Sequence, residues 1–172
     1  MGQRVLLVDM DSQANATSGL GINPRKLERS VYDVLLGNFA SEDAIRKTSF
    51  LTLDILPASG ALAGATIELV DMARREYRLK EAIDPLRAKY DFVVIDSPPS
   101  LGLLTINALV ASHKIIIPVQ CEYYALEGLA DILMTVQMIN ANLKLRIAIM
   151  GALLTMYDRK SKLHRAVAKE IR

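Results

Sequence analysis

Three aspartates carry the first chemical signal in this chain. Asp9 closes the run Arg4–Asp9, RVLLVD, and Asp96 closes Asp91–Asp96, DFVVID. Each acid stands where a short apolar run stops, and ligands of open parallel sheets bind beyond the carboxyl ends of the strands. Two carboxylates at such ends suit a hydrated Mg²⁺, held directly or through water, because this ion takes few carboxylates and shares its shell with water and substrate phosphates. Asp11, two residues past Asp9, is placed to orient or deprotonate a water. Ser97-Pro98-Pro99 turns the chain directly after Asp96, because proline has no N–H to continue a strand or helix. The same acids also suit ordinary turn and helix caps, and Asp9 with Asp11 resembles the acid pair of a phosphoacceptor site.

The remaining reactive side chains make poorer constellations. His113 and His164 are far apart, and a zinc site needs three or four ligands. Cys121 is the single cysteine, so no internal disulfide framework or cysteine-built metal site exists. It has no base and orienting group around it in sequence and reads as a small packing residue.

The elements that must position the acids follow from hydrophobic pattern. Arg4–Asp9, Leu51–Leu56, Asp91–Asp96, Lys114–Val119 and Leu145–Leu154 read as strands, nearly continuous in apolar residues. Ser30 caps a short helix over Val31, Val34 and Leu35 that stops near Gly37, and Ser41 caps another over Glu42–Lys47. Ala58–Ala65 gives no clear pattern. Ile67–Lys89 reads as mostly helical, divided by Pro85. Leu103–Ala111, Ala125–Ile139 and Lys160–Arg172 complete the helices. Apolar strands alternating with helices imply one α/β domain over residues 1–172, with a mostly parallel sheet covered on both faces.

Composition fits that class. The 172 residues are 51% hydrophobic and 23% charged, which excludes a disordered or fibrous chain. No apolar run reaches the roughly 18–20 residues a membrane span needs, and no signal-peptide core precedes Asp9. The cytosol is the expected compartment. Net charge is +2, but residues 144–172 hold eight basic residues against two acids, a surplus of six. Such a basic end suits nucleic acid, an acidic partner or plain solvation.

Longer blocks sharpen the reading. Gly2–Gly21 (GQRVLLVDMDSQANATSGLG), Tyr90–Gly102 (YDFVVIDSPPSLG), Leu101–Leu109 (LGLLTINAL), Ile116–Leu129 (IIPVQCEYYALEGL) and Gly151–Arg159 (GALLTMYDR) occur in order. Together they resemble the ParA/Soj family of chromosome- and plasmid-partitioning ATPases, relatives of the MinD proteins. The resemblance implies a three-layer α/β/α, P-loop NTPase-like fold and use of ATP with Mg²⁺. It implies that Asp9 lies near the Mg²⁺ shell, that Asp11 positions the attacking water, and that Asp96 is the Walker B acid. Ser97, Pro98 and Pro99 would sense the γ-phosphate, and Thr155, Tyr157 and Asp158 would lie near the adenine. Dimerisation with a second copy, non-specific DNA binding, a ParB/Spo0J-type partner, nucleoid association and no membrane contact follow by the same resemblance. Arg159, Lys160, Lys162 and Arg165 are the DNA-binding candidates.

The family's deviant Walker A loop, KGGxGK followed by Thr or Ser, has no counterpart here. Gly60–Gly64, GALAG, runs into Ala65-Thr66 and offers no lysine, whereas a P-loop needs one to reach the β/γ-phosphates. The expectation is therefore a fragment: a partial ParA-like domain, truncated at both ends, lacking the P-loop strand and the last elements. Impaired ATP binding and hydrolysis would follow. The alternative is a non-enzymatic DNA- or protein-interaction module with a degenerate nucleotide site.

Overall fold

In a computed structural model describing residues 2–98, 100, 102–122 and 125–171, the run before Asp9 becomes β1 (Val5–Asp9). After it come α1 (Asn15–Gly19), α2 (Val31–Leu36), α3 (Ser41–Ala44), β2 (Arg46–Lys47), β3 (Leu53–Leu56), α4 (Leu62–Glu68), α5 (Arg78–Ile83), β4 (Phe92–Asp96) and α6 (Leu103–Ala111). These belong to the first of two compact units, Met1–Ala111. Its sheet has the order β2-β3-β1-β4. β1 pairs in parallel with β3 and β4, and the register sets Asp9 beside Asp96.

Local chemistry explains most of these elements. Asp33 in the first turn of α2 accepts from the Ser30 N–H at 2.9 Å, a capping contact. Gly37 ends α2 at φ 81°, a conformation that favours glycine. Leu6 and Val8 of β1 are fully buried against Val31 and Leu35 of α2, Leu62 and Ala65 of α4, and Leu79 of α5. Each large apolar side chain so buried contributes about 1.5–3 kcal/mol. Asn107, fully buried in α6, accepts from the Leu79 N–H at 3.0 Å and donates to the Arg75 carbonyl at 2.8 Å. It fastens the helix after β4 to the start of α5.

Three expectations are corrected. The helix begun at Ser41 stops at Ala44, and Arg46–Lys47 instead pairs antiparallel with β3. Lys47 is drawn there by Asp54, 2.8 Å away, whose carboxylate also accepts from the Tyr90 hydroxyl at 2.8 Å. Burial, then that bond to Asp54, pushes the Tyr90 phenol above its usual range. The patternless stretch 58–65 contains the start of α4, whose buried face is only Leu62 and Ala65. Residues 67–89 form no long helix. They break into short turns before α5, with Arg74 at φ 54° and Pro85 inside a 3₁₀ turn.

The second unit, Ser112–Arg172, is a β-α-β-α segment. β5 (Lys114–Gln120) and β6 (Ala148–Thr155) pair in parallel and are joined by α7 (Ala125–Leu143), and α8 (Lys162–Ile171) follows. Asn140 of α7 clips the entry to β6, accepting from the Ile147 N–H at 2.9 Å and donating to its carbonyl at 3.1 Å. That clip and a left-handed Lys144 (φ 52°) delay the strand from the expected Leu145 to Ala148. No helix among the described residues is long and apolar enough to cross a membrane.

Candidate functional site

The apolar residues of β1 and β4 bring both strand ends to one edge of the first unit's sheet. The Met10 N–H donates to the Asp96 carbonyl at 2.8 Å, so the pairing continues just past Asp9. The two acids then meet different surroundings. Asp9 is fully buried. Its Oδ1 accepts from the Asp11 N–H at 3.1 Å. Its Oδ2 accepts from the Thr17 N–H at 2.9 Å and the Thr17 hydroxyl at 2.7 Å. Asp96 is exposed, and its carboxylate takes no hydrogen bond from any described residue. Desolvation, and then the charges of Asp9 and Asp11, push its pKa above the usual aspartate value.

Asp11 is half-buried and shapes its own loop. Its carboxylate accepts from the Gln13 N–H at 3.0 Å and its carbonyl from the Ala14 N–H at 2.9 Å. Ala14 then turns the chain into α1 in the left-handed region, φ 53° and ψ 39°, while its side chain is buried. That conformation costs a non-glycine residue roughly 1–2 kcal/mol. A cleft of about 360 Å³ opens beside this loop, lined by Ser12, Gln13, Ser18, Asn23 and Arg25 among others.

The turn after β4 is held from α6. Thr105 donates its hydroxyl to the carbonyls of Pro98, at 3.4 Å, and Ser100. Ser97 is exposed and Pro98 half-buried, and Pro99 lies outside the described residues. In the second unit, Thr155 ends β6, and Tyr157 and Asp158 follow it on an exposed turn that begins with Met156 at φ 52°. The Asp158 N–H donates to His164 Nδ1 at 2.9 Å, and its carboxylate accepts from the Lys160 N–H at 2.8 Å. Arg159, Lys160, Lys162 and Arg165 are all exposed and form no ion pair among the described residues.

The structure thus gathers Asp9, Asp11 and Asp96 at one edge of the first unit. Sequence reasoning missed Thr17 and Thr105, the hydroxyls that hold the two loops. A threonine eight residues beyond an acid gives no periodic signal. As a donor set, Asp96 and Asp11 offer hard oxygens, and the crowding that raises the Asp96 pKa is what a divalent cation relieves. No group of three or more ligands that could hold a metal is present among the described residues. Such a sparse set matches Mg²⁺, which keeps several waters and takes phosphate oxygens. The residues present fit that ion.

An AAA-domain family model matches residues 1–149. The sporulation initiation inhibitor protein Soj of Bacillus subtilis is 51% identical over 172 residues, covering 100% of this chain and 68% of that protein. This chain is a member of the ParA/Soj family. The chromosome partitioning protein ParA of Caulobacter vibrioides is 45% identical over 99% of this chain and 65% of its own length. The chain therefore spans about two thirds of the length of the curated relatives it matches. The match corrects the expectation of a ParA/Soj fragment lacking the P-loop part of its domain. The AAA-domain match starts at residue 1 and continues to residue 149, and the relatives align over nearly the whole chain. Among solved structures, a cobyrinic acid a,c-diamide synthase from Mycobacterium smegmatis with bound ATP analog and magnesium superimposes with a TM-score of 0.94 at 42% identity, covering 99% of this chain and 69% of that one. The ParA/Soj chain accordingly has the P-loop NTPase-like α/β/α fold with a mixed sheet.

Proposed function

We propose that this chain works as a ParA/Soj-type partitioning protein, with its strand-end acids forming the metal and water side of a MgATP site. The observation that carries the reading is the register of Asp9 with Asp96, which leaves one acid buried with three donors and the other exposed, with no donor to its carboxylate among the described residues. When bound, Mg²⁺ neutralises charge developing on the phosphate oxygens. Asp96 would hold the ion through water, with Asp9 near its shell and oriented by the loop. Asp11 holds the water that attacks the phosphate. Ser97, Pro98 and Pro99 answer to the γ-phosphate. Separately, Thr155, Tyr157 and Asp158 of the second unit take the adenine.

Dimerisation with a second copy, non-specific DNA binding through Arg159, Lys160, Lys162 and Arg165, nucleoid association and a ParB/Spo0J-type partner complete the proposal. The relatives named for chromosome partitioning support it. Calorimetric titration with ATP, in Mg²⁺ and then in EDTA, tests the site. Weak, Mg²⁺-dependent binding that Asp96→Asn abolishes is expected. Binding indifferent to both changes would overturn the assignment.

The basic surplus of residues 144–172 favours a second reading, a DNA- or protein-interaction module without turnover. DNA retention against salt separates the two. Changing Arg159 and Lys160 to Ala should reduce the salt slope by roughly 2, since each phosphate neutralised by a basic side chain adds about 0.9 to it. Retention that never responds to ATP would favour the second reading, and an unchanged slope would remove these residues from the surface.

A further inference from the structure

Thr17 is buried completely, and its hydroxyl is used twice. It donates to Asp9 Oδ2 at 2.7 Å and accepts from the Ala58 N–H at 3.0 Å. Its own N–H donates to the same Asp9 oxygen at 2.9 Å. The other Asp9 oxygen holds the Asp11 N–H at 3.1 Å. A continuous set of hydrogen bonds therefore runs from Asp11 through Asp9 and Thr17 to Ala58. Ala58 lies just past β3, where the Pro57 carbonyl also accepts from the Val31 N–H at 2.8 Å.

We infer that Thr17 is a positioning residue for the strand-end acids and links their occupancy to the exit of β3. The inference rests on the MgATP reading of the acid site and assigns a new role within it. Without the hydroxyl, Asp9 Oδ2 loses one of two donors and the Ala58 N–H loses its acceptor. Asp9 is then held only by the Thr17 and Asp11 N–H groups, so the oxygen that anchors the Asp11 N–H is less firmly fixed. Inside a low-dielectric site these bonds are strong and their loss is felt along the set. A ligand that pulls on Asp9 or Asp11 displaces the Thr17 hydroxyl and so changes the bond at Ala58. The neighbouring backbone bonds cannot substitute, because among the described residues the Ala58 N–H has no acceptor besides the Thr17 hydroxyl.

The test compares the wild-type chain with Thr17→Val, which keeps the shape, and Thr17→Ser, which keeps the hydroxyl. Calorimetry with ATP and Mg²⁺ gives affinity, and the Ala58 amide resonance reports the β3 exit. Thr17→Val should weaken binding roughly tenfold, as loss of an outer partner of a metal site does, and Thr17→Ser should restore it. The Ala58 amide should shift on MgATP addition in the wild type and in Thr17→Ser, and stay still in Thr17→Val. A folded Thr17→Val protein with wild-type affinity overturns the inference. If Thr17→Val does not fold, the wild-type Ala58 amide decides: a shift at saturation supports the link, and a silent amide overturns it. If Asp96→Asn abolishes binding while Thr17→Val leaves it intact, only this inference fails. If the wild type binds no MgATP, the site assignment fails and takes this inference with it.

Discussion

The carboxyl ends of β1 and β4 are neighbours in register, each closing an apolar strand with an aspartate. At the β1 end the acid is buried and saturated by donors from its own loop. At the β4 end the acid is exposed, and the chain is fastened further on, by Thr105 at the proline turn and Asn107 in α6. A buried carboxylate is tolerable only when its lone pairs are satisfied, so Asp9 is committed to structure and orientation. Asp96 has no donor to its carboxylate among the described residues, which is what the proposed metal role requires. The pair shows how two identical residues at equivalent places divide labour through their donors alone.

Removing the saturated acid should have the largest effect. Asp9→Ala strips the acceptor from two backbone N–H groups and the Thr17 hydroxyl, and should cost about 3 kcal/mol in urea unfolding, since each stranded buried donor costs roughly 1–3 kcal/mol. A loss below about 1 kcal/mol would erase the contrast between the two ends. Relaxing the loop between Asp9 and Thr17 should have a smaller effect. Ala14→Gly removes the left-handed strain at φ 53°, but it loosens the unfolded chain and gives up a methyl buried in the core, so the net change should stay within about 1 kcal/mol. A larger loss would mean that the packing of the methyl outweighs the strain.

The smallest change belongs to the open acid. The folded-state pKa of Asp96 is raised by desolvation and by Asp9 and Asp11. Between the ordinary aspartate pKa and that raised value the folded state holds more proton than the unfolded chain, so stability falls as pH rises through the window. Asp96→Asn should abolish this slope and stabilise the protein at neutral pH. Screening at an exposed group limits the gain to about 0.5 kcal/mol. Thermal melts of both proteins across the acid range would measure the difference, and an Asp96→Asn protein with the wild-type pH dependence would contradict the raised pKa that desolvation and the neighbouring acids impose on Asp96.

Much of this was legible in the residues. Apolar runs ending in Asp9 and Asp96 mark strands, and β1 is buried as a strand inside a parallel sheet should be; the expected cover on both faces fails at β4, where Phe92 and Val94 are exposed. The strand had to stop near Asp96, since Pro98 lacks an N–H donor to continue it. The ordered family blocks carried the ParA/Soj assignment. The strand β2 was not legible: its two residues carry no period, and the Asp54 that draws Lys47 lies in another strand. The breakup of residues 67–89 was missed as well, because helix-forming composition hides a left-handed Arg74.

The sequence by itself determined which acids end which strands, because strand ends follow from local hydrophobicity and turn chemistry. Only the tertiary structure decided that Asp9 is closed and Asp96 open. That choice rests on Thr17 and Ala58, which lie 41 residues apart in sequence and meet through one hydroxyl. Local pattern cannot encode such a contact, because burial and donor supply are properties of the folded packing.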